Sequence, residues 1–117
     1  MVEQVCIKWN DFQESIVSSY KNLRKKLDFS DVTLACEDAQ QIEPHKVVLS
    51  ACSPFFRSIL KSSKHDHPMI YMRGVKAKDM VAIVDFVYHG EAEVPREDLH
   101  GVLVLANSLK LTGFSGS

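Results

Sequence analysis

The sequence has no surplus of positive charge: 14 Lys and Arg face 15 Asp and Glu, a formal net charge of −1. A domain that binds nucleic acid unaided carries a basic excess to displace counterions from phosphate, so direct nucleic-acid binding by this segment is not expected. Cysteine is also scarce. Cys6, Cys36 and Cys52 are odd in number and show no C-x-x-C spacing, which argues against a disulfide framework or a zinc site. Each lies in an apolar stretch, where a free thiol acts as a small hydrophobe, a usage that suits the reducing cytosol or nucleus. No apolar run is long enough for a bilayer-spanning helix, and the first four residues lack the character of a signal peptide. No repeat or low-complexity block occurs. Glycines 74, 90, 101, 113 and 116 are scattered, leaving no loop to cradle phosphate and no hydroxyl-nucleophile motif.

What is present is an ordinary globular composition, 45% hydrophobic and 25% charged over 117 residues. A chain of this size buries roughly two-thirds of its unfolded surface in one domain. Residues 4–9 alternate, with Val5, Ile7 and Trp9 on one face and Gln4, Cys6 and Lys8 on the other, the pattern of a half-buried strand. Asp11 and Glu14 have capping-box spacing. The helix they announce, to about Leu27, places Phe12, Ile16, Tyr20, Leu23 and Leu27 within a stripe roughly 80° wide. A second strand is expected over residues 31–36 and a short returning strand over 41–43. Helices follow over 45–51 and from Ser53-Pro54, where Ser caps and Pro opens the first turn. After a polar loop, residues 69–72 read as a strand. Residues 76–89 read as a strong helix stopped by Gly90. Residues 91–94 alternate as a strand. A helix opened by Pro95 carries Leu99, Val102, Leu103 and Ala106, and a last helical turn holds Leu109 and Leu111. Short strands interleaved with helices, without a regular βαβ repeat, predict an α+β cluster of five to six helices capped by a small mixed sheet. The domain is expected to span residues 1–113, with 114–117 a flexible end.

Three groups invite chemical readings. His65-Asp66-His67 offers two imidazoles and an orienting carboxylate, but no third or fourth ligand has useful spacing, and a solvated loop accounts for them. His45 and Cys52 lie seven residues apart on a predicted helix, a spacing at which a base can activate a thiol. Apolar neighbours and the lack of an orienting acid favour a packed cysteine. The basic run Lys21, Arg24, Lys25 and Lys26 occupies the polar side of the first helix and reads as a solvated face that could steer an acidic partner. No catalytic residue, metal ligand or cofactor site is therefore expected.

The strand over 4–9 has no hairpin partner nearby in sequence, yet its backbone groups need one. Residues 6–13 (CIKWNDFQ), 29–37 (FSDVTLACE), 44–56 (PHKVVLSACSPFF), 67–70 (HPMI), 85–91 (DFVYHGE) and 106–109 (ANSL) resemble, in order, the motifs of BTB (POZ) domains of the tramtrack type found in insect transcription and chromatin regulators. The resemblance covers about residues 4–113. It implies a homodimer in which first strands are exchanged and first helices pack together, with Val5, Ile7, Trp9, Phe12, Ile16 and Tyr20 as interface residues. An obligate interface of this kind buries on the order of 2,000 Å² or more. By the same resemblance Asp31 and Lys46 form a charged pair near the dimer floor, and removing one partner of such a pair typically costs about 3–5 kcal/mol. The tramtrack group also builds assemblies larger than dimers, and related BTB domains and co-regulators are the further partners implied.

The chain departs from the family pattern at Gly101, inside a predicted helix, and at His65-Asp66-His67 and Tyr71-Met72-Arg73. Adaptors of cullin-3 ubiquitin ligases tend to carry a hydrophobic-x-Glu element after the third helix; Lys61-Ser62-Ser63-Lys64 lacks it. The expectation is an oligomerisation module of a nuclear regulator, not an enzyme and not membrane-bound, with a ligase adaptor as the alternative.

Overall fold

The computed structural model describes residues 2–112. In chain order the elements are α1 (Phe12–Lys26), β1 (Thr33–Cys36), β2 (Gln41–Ile42), α2 (Lys46–Cys52), α3 (Pro54–Ser62), β3 (Met69–Met72), α4 (Ala77–His89), a 3-10 turn (Arg96–Asp98) and α5 (Leu99–Ser108). The sheet order is β2-β1-β3. β2 returns antiparallel beside β1, with Leu34 opposite Ile42. The α2–α3 pair then carries the chain across, so that β3 lies parallel to β1, with Leu34 opposite Ile70 and Cys36 opposite Met72.

Alternation along these strands sends Leu34, Cys36, Ile42 and Met72 inward, where Val48, Leu49, Phe56, Met80, Ile83, Val84 and Val102 complete the core. Ser53 works in two directions: its Oγ accepts from the Phe56 N–H (3.2 Å) and donates to the Leu109 carbonyl (2.6 Å). The first bond caps α3 as the sequence predicts; the second fastens the end of the described chain to the α2–α3 junction, helped by Thr112 N–H to the Cys52 carbonyl (2.8 Å). Gly90 ends α4 at φ 83°, its N–H on the Phe86 carbonyl (2.8 Å), a left-handed stop that glycine adopts without a Cβ clash. An ideal Cβ on Gly101 would lie 3.1 Å from Asp79 Oδ2; glycine there lets α5 approach the start of α4 closely.

Several expectations are corrected. Residues 4–9 form no strand within the chain, and neither do residues 91–94. A strand needs a neighbour to complete its ladder, and no backbone hydrogen bond joins residues 2–8 or 91–94 to another described segment. Asp11 stands at the N-cap of α1 without a side-chain cap bond. Pro95 precedes a 3-10 turn, and α5 begins four residues later. Leu109 and Leu111 are buried in a turn rather than a helix. Cys6 is exposed, unlike buried Cys36 and half-buried Cys52, because its segment packs on nothing. The flexible end expected over 114–117 lies outside the described residues.

Candidate protein-interaction surface

The N-terminal arm and α1 form an apolar surface with nothing over it. Val5 is 86% exposed, Ile7 94%, Trp9 57%, Phe12 50% and Tyr20 37%, with Ile16 half-buried. None of the side chains of α1 is buried. Trp9 and Phe12 meet edge to face, ring centroids 5.2 Å apart, which joins the arm to the helix as one aromatic ridge. The C-terminal half of α1 is anchored: Leu23 packs on the core and Arg24 Nε donates to Asp85 Oδ1 of α4 at 3.0 Å. The rest of the apolar stripe faces outward. A run of large side chains this long and this exposed makes the ridge the candidate interaction surface of the described residues, and Trp and Phe are the usual anchors of such surfaces.

A second feature lies beyond α4. Residues 91–94 run extended, Ala92 and Val94 half-buried and Glu91 and Glu93 exposed. Beside them is a mostly apolar cleft of about 270 Å³ lined by Ile83, Phe86, Ala92, Val94, Leu99 and Val102, with the exposed Glu91 also lining it. The molecule thus holds two alternating segments with unpaired backbone, one of them bordering an apolar cleft.

Asp31 and Lys46 come together in a form the sequence did not suggest. Asp31 Oδ1 accepts from the backbone N–H of Lys46 (2.8 Å) and so satisfies an open donor at the start of α2. The Lys46 ammonium turns instead to the backbone carbonyls of Asp66 (2.8 Å) and His65 (3.4 Å). His67 Nε2 lies 2.8 Å from Thr33 Oγ1, so the 65–67 loop is tied to β1 and α2. Among the described residues no group of three or more His, Cys, Asp or Glu could hold a metal ion, and no helix is long and apolar enough to cross a membrane.

The His45–Cys52 pairing is also resolved. His45 is buried, and both its backbone N–H (2.8 Å) and Nδ1 (2.7 Å) lie on the Tyr88 hydroxyl, while Nε2 lies on the Asp28 carbonyl (2.5 Å). One assignment satisfies every atom: the Tyr88 oxygen accepts from the amide and donates to Nδ1, and Nε2–H donates to Asp28. Burial pushes the Tyr88 hydroxyl up to about 12, against the lowering effect of its His45 bond, so it remains a donor at neutral pH. Burial pushes the Cys52 thiol up as well. A protonated thiol and an imidazole engaged at both nitrogens make no nucleophile. Tyr88 is the hub that sequence reasoning missed: it lies among apolar residues in the sequence of α4, and nothing in the linear order points to a partner 43 residues away.

The features of the described residues that stand out are thus an exposed apolar ridge and an open cleft. The chain matches the BTB/POZ domain family over residues 20–115. It is 45% identical over 113 residues to the Broad-complex core protein isoforms of Drosophila melanogaster, covering 97% of this chain and 15% of that protein. It is 38% identical over 113 residues to the alpha isoform of tramtrack from the same organism, covering 97% and 14%. The longitudinals lacking protein-like of that organism is 43% identical, with 97% of this chain and 88% of that protein covered. In structure the chain is similar to the BTB domain of zebrafish PATZ1, with a TM-score of 0.77 at 24% identity over 92% of this chain and 88% of the other. The small mixed sheet, the five helices and these matches together place the chain in the BTB/POZ family, a protein-interaction fold.

Proposed function

We propose that this domain joins copies of a nuclear transcription or chromatin regulator into dimers or larger assemblies, and that co-regulators bind the assembled surface. The observation that carries this reading is the bare apolar ridge of the arm and α1, together with the two unpaired segments at residues 4–9 and 91–94. Exchange of arms between two copies completes both ladders at once: the arm of each pairs with residues 91–94 of the other. Val5, Ile7 and Trp9 then cover the cleft beside Val94, and Phe12, Ile16 and Tyr20 pack across the axis. Asp31 and Lys46 lie near the floor of that interface, where Asp31 caps the start of α2 and the Lys46 ammonium holds the 65–67 loop.

The chain spans 15% and 12% of the lengths of two relatives, the Broad-complex core protein and abrupt, and 88% of a third, the longitudinals lacking protein-like; in the reading proposed here, DNA recognition belongs to a part of the regulator other than this domain. Linking DNA-binding units raises apparent affinity by about 10²–10⁴ without new DNA contacts when the geometry permits. Nuclear residence follows from that role. Light scattering after size-exclusion chromatography tests the assembly: a mass of twice the 13.2 kDa chain or more, persisting on dilution, is expected. A monomer at all concentrations would overturn it.

A further inference from the structure

We infer that the polar faces of the exchanged segments carry a charge match that selects the second chain, Lys8 of one copy meeting Glu91 and Glu93 of the partner subunit. The inference rests on the strand-exchange reading above and adds to it the rule by which a partner is accepted.

In a strand, alternate side chains share a face. Placing Val5, Ile7 and Trp9 over the cleft puts Gln4, Cys6 and Lys8 on the outer face of the arm, and Lys8 is the only charge there. In the receiving segment Ala92 and Val94 turn inward, while Glu91 and Glu93 are exposed. When two segments pair, like faces align, so the lysine and the two glutamates fall on the same side of the new ladder. A directly opposite or diagonal neighbour is within reach of a lysine side chain, so the match holds for either strand direction. All three are free to form it. Among the described residues the ion pairs are Arg24–Asp85 and Lys78–Asp98, and neither uses Lys8, Glu91 or Glu93. In a two-fold dimer the contact occurs twice.

Opposite charges across a ladder stabilise and like charges destabilise. A related chain with an acid at the place of Lys8, or with bases at the places of the two glutamates, is therefore disfavoured even if its apolar face fits equally well. This is selection by repulsion as much as by attraction, and it separates the tightness of the dimer, set by the aromatic ridge, from its choice of partner.

The test mixes two variants, Lys8→Glu and the double variant Glu91→Lys/Glu93→Lys, which change only exposed side chains. Each variant homodimer places like charges at both contacts and is expected to dissociate roughly tenfold more readily than wild type. The mixed dimer has matched charges at both contacts. Co-expressed in one cell and weighed by native mass spectrometry, the two variants are expected to give about nine-tenths mixed dimer, and the triple variant alone is expected to recover a wild-type homodimer. Refolding the pair together in about 1 M salt, where screening shortens to roughly 3 Å, is expected to return the mixture toward the statistical half. Stable dimers in statistical proportion at low salt would overturn the charge match while leaving strand exchange standing. A wild-type chain that is monomeric in the same spectrometer would overturn strand exchange and the charge match with it.

Discussion

Residues 4–9 and residues 69–72 are both short segments read as strands from the sequence, yet they end in opposite states. Residues 69–72 become β3, paired along β1 and closing the sheet. Residues 4–9 remain an exposed arm. The difference is not in the local pattern but in the neighbour. Strand β3 is delivered by the α2–α3 crossover to an open edge of β1, whereas the arm meets no free edge within its own chain. The same contrast divides α1 from α4. Both are amphipathic, but α4 buries Met80, Ala82, Ile83, Val84 and Tyr88, whereas no residue of α1 is fully buried and only Leu23, toward its end, packs on the core. An amphipathic element that leaves most of its apolar face bare is half of a packing arrangement, and in the assembly proposed above the other half is a second copy of the chain.

Substitutions on the two sides of this divide should separate stability from assembly. Phe56, fully buried, belongs to the core, and Phe56→Ala is expected to lower unfolding stability by about 3–5 kcal/mol, read by urea denaturation. Trp9→Ala should act on the other side: association weakened by about 2–4 kcal/mol, seen as mass falling toward one chain on dilution. Trp9 is the sole tryptophan, so its fluorescence should shift to shorter wavelength as wild-type chains associate. No dilution-dependent shift would contradict burial of the arm.

Tyr88→Phe tests a contact wholly inside the body. It leaves the His45 amide and Nδ1 without their shared partner, at a cost of about 1–3 kcal/mol. It should also change the alkaline limb. The folded Tyr88 hydroxyl titrates near 12, above the ordinary value of about 10. The stability from that difference, roughly 2–3 kcal/mol, is fully present below about pH 10 and is lost as pH rises through about 12. Stability of the Phe variant between those limits should fall less steeply, and an unchanged slope would count against the hydrogen-bonded hub. The smallest effect is expected at Ala39, which holds φ 66° in the β1–β2 turn. Ala39→Gly relieves a left-handed conformation that disfavours a Cβ, and a gain of up to about 1 kcal/mol is expected in thermal unfolding.

Local features with local causes were legible in the chain. The Ser53-Pro54 cap, the Gly90 stop and the bounds of β3 depend on side chains within a few residues of the element, and all three appear as read. The family motifs pointed to the fold, and the aromatic ridge was visible as Trp9, Phe12, Ile16 and Tyr20. What failed depended on distance. Asp11 has capping spacing, but the arm's geometry leaves its carboxylate unused. Asp31 and Lys46 were paired by analogy as two charges, whereas the carboxylate meets an amide and the ammonium meets carbonyls. Residues 91–94 alternate as a strand should, yet alternation names a face and not a partner.

The sequence by itself determined the α+β composition and the positions of most helices, because periodicity and caps act over one or two turns of chain, and its ordered motifs determined the membership of the family. Only the tertiary structure decided that Tyr88 holds His45 and that two strand-like segments and one face of α1 stay open. Those outcomes hang on which surfaces meet across dozens of residues: a hydrogen bond or a ladder needs its second half in place, and nothing in linear order says where that half will be.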